Sequence, residues 1–135
     1  MKVQDEKDRY REIEFRGKAS DSEWAYGYLI VMPDGSCGIF QFGNFEEGAV
    51  DVVPKTVGEF TGLKDKNKKA IYEGDIIQYS DTDKGIIQGK ILSQQGCFML
   101  KISPETVKPY PLFILDIAQF EVIGNIHDNP ELINE

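Results

Sequence analysis

Large apolar residues recur at every second position over residues 24–32: Trp24, Tyr26, Tyr28, Ile30 and Met32. A period of two belongs to a β-strand with one apolar face. A shorter alternation precedes it, with Ile13 and Phe15 set between Glu12, Glu14 and Arg16, and residues 17–22 read as a turn. Pro33-Asp34-Gly35-Ser36 is a tight-turn signature, so residues 37–42 are expected to return as the partner strand of an N-terminal β-hairpin. After a loop at 43–48, residues 49–53 form a short apolar strand. Further strands are predicted at 76–79, 86–92, 97–102 and 120–123, with turns at 81–85 and 94–96. Thr56-Val57-Gly58-Glu59 fits a capping box on a single helical turn, while Gly58 and Gly62 argue against a longer helix. Residues 103–111 read as a loop carrying Pro104, Pro109 and Pro111. Residues 112–117 suit a short helix or a strand, and 130–134 a turn or short helix.

Many short strands at short spacing predict an all-β chain. The expected architecture is a small, SH3-like, open β-barrel core with an N-terminal β-hairpin and at most short helices. Residues 71–102 have the spacing of that core. The length, 135 residues, is that of one domain. Within it, 1–10 read as a loose lead-in, 12–53 as the N-terminal strands, 54–126 as the barrel core and 127–135 as a tail.

The formal charge of −8 disfavours non-specific binding to nucleic acid or to anionic lipid, because like charges repel at long range. No segment approaches the ~20 apolar residues of a membrane helix, and residues 1–11 lack the apolar stretch of a signal peptide. A cytoplasmic chain is expected. Cys37 and Cys97 form no CxxC pair, and with His127 as the single histidine no zinc-ligand spacing can be assembled. Both cysteines are expected to be free, buried thiols.

The motifs that carry chemistry are mostly missing. Asp81 and Asp83 open like a calcium loop, but Ile86 and Leu92 stand where glycine and glutamate are needed, and the stretch from Asp65 fails in the same way. Both are read as solvated turns. Neither Gly17-Lys18 nor Gly89-Lys90 belongs to a phosphate-binding loop, and there is no GxSxG nucleophile. Glu73 and Asp75 flank Gly74, and in an extended chain both would point to one face, able to hold a proton or a cation. The structural alternative is that Gly74 makes a turn and Asp75 bonds backbone amides. No cofactor, metal or catalytic residue is assigned. An enzyme using Glu73, Asp75 and His127 would need all three in one pocket. Lys64, Lys66, Lys68 and Lys69 form the basic cluster of the chain, with Phe60 and Tyr72 nearby. Lysines on phosphates and Tyr72 against a base would make an interaction surface; otherwise the lysines keep a turn solvated.

Three blocks resemble the YopX family of bacteriophage and prophage proteins. The first runs from Arg11 through Glu14, Phe15 and Arg16 to Lys18 and continues as Glu23-Trp24-Ala25-Tyr26-Gly27-Tyr28-Leu29. The second runs from Pro54 through Gly58 and Gly62 to Asn67, then Ile71-Tyr72-Glu73-Gly74-Asp75-Ile76. The third is Val122-Ile123-Gly124-Asn125-Ile126-His127-Asp128-Asn129-Pro130-Glu131-Leu132. They lie in the family's order and span nearly the whole chain. Lys68 departs from the glycine usual in the family, so Asn67 is expected to carry the left-handed turn residue there. The resemblance implies a small β-rich protein of a phage or prophage, acting in a bacterial cell, with no established activity and no catalytic residues to carry over. The physical reading of the blocks is structural: Gly58, Gly62, Gly74 and Gly124 suit turns, and Phe15, Trp24, Tyr26, Phe60 and Tyr72 suit a core. The leading expectation is a non-enzymatic protein-interaction module with a host or phage protein as partner. The alternative is a nucleic-acid-binding module using residues 64–69. Homo-oligomers through exposed strand edges stay open.

Overall fold

The computed structural model describes residues 12–103 and 108–133. The lead-in expected at 1–10, positions 104–107 of the proline-rich loop and Asn134 lie outside the described residues. Among the described residues eleven strands are formed: β1 Phe15–Lys18, β2 Trp24–Val31, β3 Cys37–Gln41, β4 Val50–Val52, β5 Gly58–Lys64, β6 Ala70–Tyr72, β7 Asp75–Asp81, β8 Gly85–Gln94, β9 Cys97–Ser103, β10 Tyr110–Pro111 and β11 Glu121–Asn125. They make two antiparallel sheets, ordered β4-β3-β2-β1-β5-β6 and β10-β9-β8-β7-β11. Helical backbone among the described residues is confined to single 3-10 turns. The all-β reading holds. No barrel closes: the segment 71–102 is divided between the sheets, with β6 ending the first and β7, β8 and β9 running as a meander in the second.

The hairpin turn at Pro33–Ser36 and the turns after β7 and β8 fall where the turn residues place them. The capping box does not form. The helical turn lies earlier, at Pro54–Thr56 with Val53 as its N-cap, and Gly58 opens β5. Thr56 is buried and its hydroxyl is committed elsewhere, accepting Lys18 N–H at 2.8 Å and donating to Val53 O at 2.6 Å. Gly58 and Gly124 sit in strands rather than turns. A Cβ on Gly58 would come within 2.5 Å of Glu73 O, and one on Gly124 within 2.5 Å of Asn129 Oδ1.

Each sheet has its own core. Ile71, Ile77, Ile91, Leu100, Leu112 and Phe120 are packed between the second sheet, β6 and the 3-10 turn after β10. The first sheet encloses a smaller cluster, Ala25, Ile39 and Val52. It curls to do so: an isolated bridge links Ala19 to Val52, and Val53 N–H donates to Lys18 O at 2.8 Å, so β4 returns towards β1. The inside of this curl is tight, since a Cβ on Gly17 would lie 2.8 Å from Val52. Ala25 and Gly27 are therefore the buried residues of β2, and Tyr26, Tyr28 and Ile30 face outwards. The apolar stripe of β2 is real, but Tyr26 is exposed rather than part of the core expected for it. Cys37 is half-buried and Cys97 exposed, both free, which corrects the expectation of buried thiols.

The turn between β5 and β6 ties the sheets together through Asp65. Its carboxylate accepts the N–H groups of Asn67 (2.8 Å), Lys69 (2.9 Å) and, from the start of β11, Val122 (2.9 Å). Burial works against the charged carboxylate, but these N–H groups, with Lys69 nearby, still hold its pKa below the ordinary value. Asp65 is an anchor, then, rather than a solvated turn residue. The left-handed residue of this turn is Lys68, at φ 66°, and not Asn67. A side chain in that region costs about 1–2 kcal/mol, and glycine escapes the cost at some loss of entropy. Lys68→Gly is expected to raise stability by about 0.5 kcal/mol, read as a higher urea midpoint at unchanged m-value; a lower midpoint would contradict the assignment of strain to Lys68.

Candidate functional site at the Arg16 junction

Arg16 alternates with Ile13 and Phe15 in the sequence and would be expected to face solvent. The structure buries it to 6% exposure. Its guanidinium lies between two rings, 4.7 Å from the centre of Trp24 on β2 and 4.9 Å from that of Tyr72 on β6. Nη2 donates to Asp75 Oδ1 at 2.7 Å, and its contact with Glu73 O is longer, 3.4 Å. Asp75 opens β7 and is 2% exposed. Its second oxygen accepts Tyr72 N–H at 2.8 Å. A buried charge is tolerated only when paired and hydrogen-bonded, and here both oxygens of the carboxylate have donors. Burial pushes the Asp75 carboxyl up, while Arg16 and the Tyr72 N–H pull it back.

Gly74 makes the geometry available. Its φ of 91° turns the chain between β6 and β7 so that Tyr72 N–H and Asp75 face each other. Glu73 does not join Asp75 on a common open face; its Oε1 accepts Glu59 N–H at 2.9 Å. The structural alternative for Glu73-Gly74-Asp75 is the one realised. Tyr72 donates its hydroxyl to Glu14, and burial together with that carboxylate pushes its pKa up. Its ring also meets Tyr26 edge-on (5.7 Å) and Phe60 at a tilt (5.5 Å).

The segment after β11 completes the junction. Gly74 O accepts Ile126 N–H, and a Cβ on Gly74 would lie 3.7 Å from His127 Nε2. The Asn125 side chain accepts the N–H groups of His127 and Asp128, both at 2.9 Å. His127 packs at a tilt on Trp24, with ring centres 6.0 Å apart. Asp128 accepts Trp24 Nε1–H at 2.9 Å and pairs with Lys18, which together hold its pKa down at about 2. Burial, then the Arg16 charge, lowers the pKa of the half-buried His127.

Trp24, Glu73, Gly74, Asp75, Gly124 and Asn125 are thus brought together, with Gly58 against Glu73. Gly62 lies apart, in left-handed conformation at the irregularity between β5 and β6. Lys64, Lys66, Lys68 and Lys69 are all exposed, and Lys66 reaches Glu121 at 3.7 Å. Tyr72 does not share a surface with them: it is 5% exposed, and Phe60 is 4% exposed, so neither ring is open to a base. Sequence reasoning missed Arg16, Glu14, Lys18, Asp65 and Asp128. The signal available for Arg16 was its place in the first of three motif blocks, all of which meet here.

Two open antiparallel sheets pinned by one buried arginine define an all-β protein with a structural junction at its centre. The family model described as YopX protein matches residues 6–134, and the chain belongs to that family. It is similar in fold to the protein EF1440 from Enterococcus faecalis, with a TM-score of 0.54 at 24% identity over 93% of this chain and all of that one (100%). It is likewise similar to the yopX protein from Bacillus subtilis, with a TM-score of 0.57 at 19% identity over 93% of this chain and 98% of that one. No functionally curated protein matches the chain significantly.

Asp75→Asn leaves a buried guanidinium without its counter-charge and is expected to cost about 3–5 kcal/mol in chemical unfolding. The double variant Arg16→Met/Asp75→Asn should cost clearly less than the sum of the single changes; additive costs would mean that the pair is not coupled. For His127, a lowered folded pKa means that the unfolded chain takes up the proton first. Its contribution to stability is full above the ordinary value of 6.5 and declines as pH falls below it. The imidazole resonance of this single histidine should titrate below 6.5 by NMR; a midpoint at or above that value contradicts the packing described.

Proposed function

We propose that this chain is a non-enzymatic protein-interaction module, acting inside a bacterial cell as part of a phage or prophage programme. The observation that carries the proposal is the outward face of β2, where Tyr26, Tyr28 and Ile30 stand exposed on a regular strand instead of in a core. Contiguous apolar surface of this kind marks interaction sites more often than isolated exposed residues do. The junction adds support from the other side. Asp75 is engaged by Arg16 and a backbone N–H, Glu73 by another backbone N–H, and Asp128 by Lys18 and Trp24. Carboxylates engaged in this way hold the fold and are poorly placed to act on a substrate. Membership of the YopX family is consistent with a phage setting, as the sequence blocks imply.

A second reading, nucleic-acid binding, rests on the four exposed lysines of the β5–β6 turn. Against it stand the net charge of −8 and the burial of Phe60 and Tyr72. One experiment separates the two. The tagged, purified chain is passed over nuclease-treated host lysate at several salt concentrations, and in parallel titrated with single- and double-stranded DNA and RNA at low and high salt. The proposal expects a protein partner and no nucleic-acid binding. Capture of no protein, together with nucleic-acid binding that falls steeply with salt and is lost in Lys66→Ala/Lys68→Ala/Lys69→Ala, would replace it with the second reading.

A further inference from the structure

We infer that the outer face of β2 and β3 is the docking surface, and that its partner is an arginine-bearing, basic segment of another protein. This inference rests on the interaction-module reading and names the surface and the partner chemistry for it. Tyr28, Phe42 and Phe45 form a ring cluster in the open. Phe42 meets Tyr28 edge-on at 4.9 Å, and Phe45 stacks on Tyr28 at 5.8 Å with the planes 16° apart. The rings fix one another, yet they are 51%, 45% and 52% exposed for Tyr28, Phe42 and Phe45. Rigid aromatic groups held together at a surface are what dominates binding energy where partners have been dissected residue by residue.

The cross-strand register extends the cluster into a face. Tyr28 is opposite Phe40, and Ile30 is opposite Gly38, which is in turn opposite Asp51 on β4. Directly opposed residues share a side of the sheet. Ile30, Gly38 (itself buried under Ile30 and Ala49) and Asp51 therefore form a row beside the rings, and Glu46 and Glu47 stand on the same 3-10 turn as Phe45.

Charge selects the partner. Between Ala19 and Pro54 the chain has six carboxylates (Asp21, Glu23, Asp34, Glu46, Glu47 and Asp51) and no lysine, arginine or histidine. The cations that β1 turns to this face are engaged inside the molecule, Arg16 with Asp75 and Lys18 with Asp128. An aromatic cluster with Glu46 and Glu47 on the same turn as Phe45 attracts a guanidinium twice over: the planar cation stacks on the ring quadrupole, and its N–H groups meet the acids. An anionic partner would be repelled from the same surface.

The test uses the full chain and a short fluorescein-labelled peptide alternating Arg with Leu and Gly, read by fluorescence polarisation. A peptide with Glu in place of Arg is the control. Binding of the Arg peptide is expected, with no binding of the Glu peptide. Affinity should drop about tenfold or more in Tyr28→Ser/Phe45→Ser and in Glu46→Lys/Glu47→Lys. All four side chains are exposed, so unchanged melting shows that the variants fold. Ile86→Ser, on the second sheet, should leave binding unchanged. Equal binding by the variants, binding of the Glu peptide, or no binding of either peptide overturns the inference. Self-association of the chain that is lost in Tyr28→Ser/Phe45→Ser also overturns it, by giving the face to a second copy. Lysate capture repeated with that variant separates the two levels. A partner retained by the variant removes this face but leaves the interaction module standing, whereas no partner for either protein removes both.

Discussion

A buried guanidinium joins the two sheets at the centre of the molecule, with the Asp65 turn as a second tie. Arg16 comes from the first sheet, its carboxylate partner from the first residue of β7 in the second. Desolvating both charges is expensive and is offset only when the geometry is close and the leftover hydrogen-bonding groups find partners. Asp75 meets that condition through Tyr72 N–H, and Arg16 gains two aromatic faces that stabilise the cation without hydrogen bonds. Everything nearby follows from this. Gly74 must adopt positive φ to present Asp75, Gly58 must lack a side chain because Glu73 O approaches it, and Trp24 is held from beyond by His127 and Asp128.

The two cores are unequal, and their inequality shapes the surface. Beneath the second sheet there is room for five aliphatic side chains and Phe120. The first sheet curls so tightly that β4 returns to the end of β1, and at the middle of the curl only small residues, Gly17 and Ala25, fit against Val52, with Phe15 and Leu29 half-buried at its margins. The bulky members of the β2 alternation are then left on the outside. Those near the junction, Trp24 and Tyr26, pack against His127 and Tyr72. Those further along the strand, Tyr28 beside Phe42 and Phe45 and Ile30 over Gly38, stay exposed. One strand face thus passes from structural junction to open surface within a few residues.

Much of the strand plan was legible in the chain because a period of two and glycine-containing turns are local signals. The hairpin at Pro33–Ser36 and the meander of β7, β8 and β9 depend on little else. Local signals misled where a tertiary contact competed. The Thr56–Glu59 pattern matches a capping box, but Thr56 is taken by Lys18 N–H and Val53 O, and Gly58 is drawn into β5 against Glu73. Asp65 looks like a turn residue until Val122 N–H arrives from the other sheet. Lys68 takes the left-handed position itself, since Asp65 binds the N–H groups on either side of it.

The sequence by itself determined the all-β class, the order of most strands and turns, and membership of a family through three separated blocks. Alternation divides a strand into two faces but carries no sign for which one is inside. That was settled by the curl of the first sheet, which admits Ala25 and Gly27 and turns Tyr28 and Ile30 out. Nor does an arginine in a polar stretch reveal the carboxylate it will meet 59 residues later. Both choices rest on long-range contacts, whose energies exist only once distant segments of the chain are brought together.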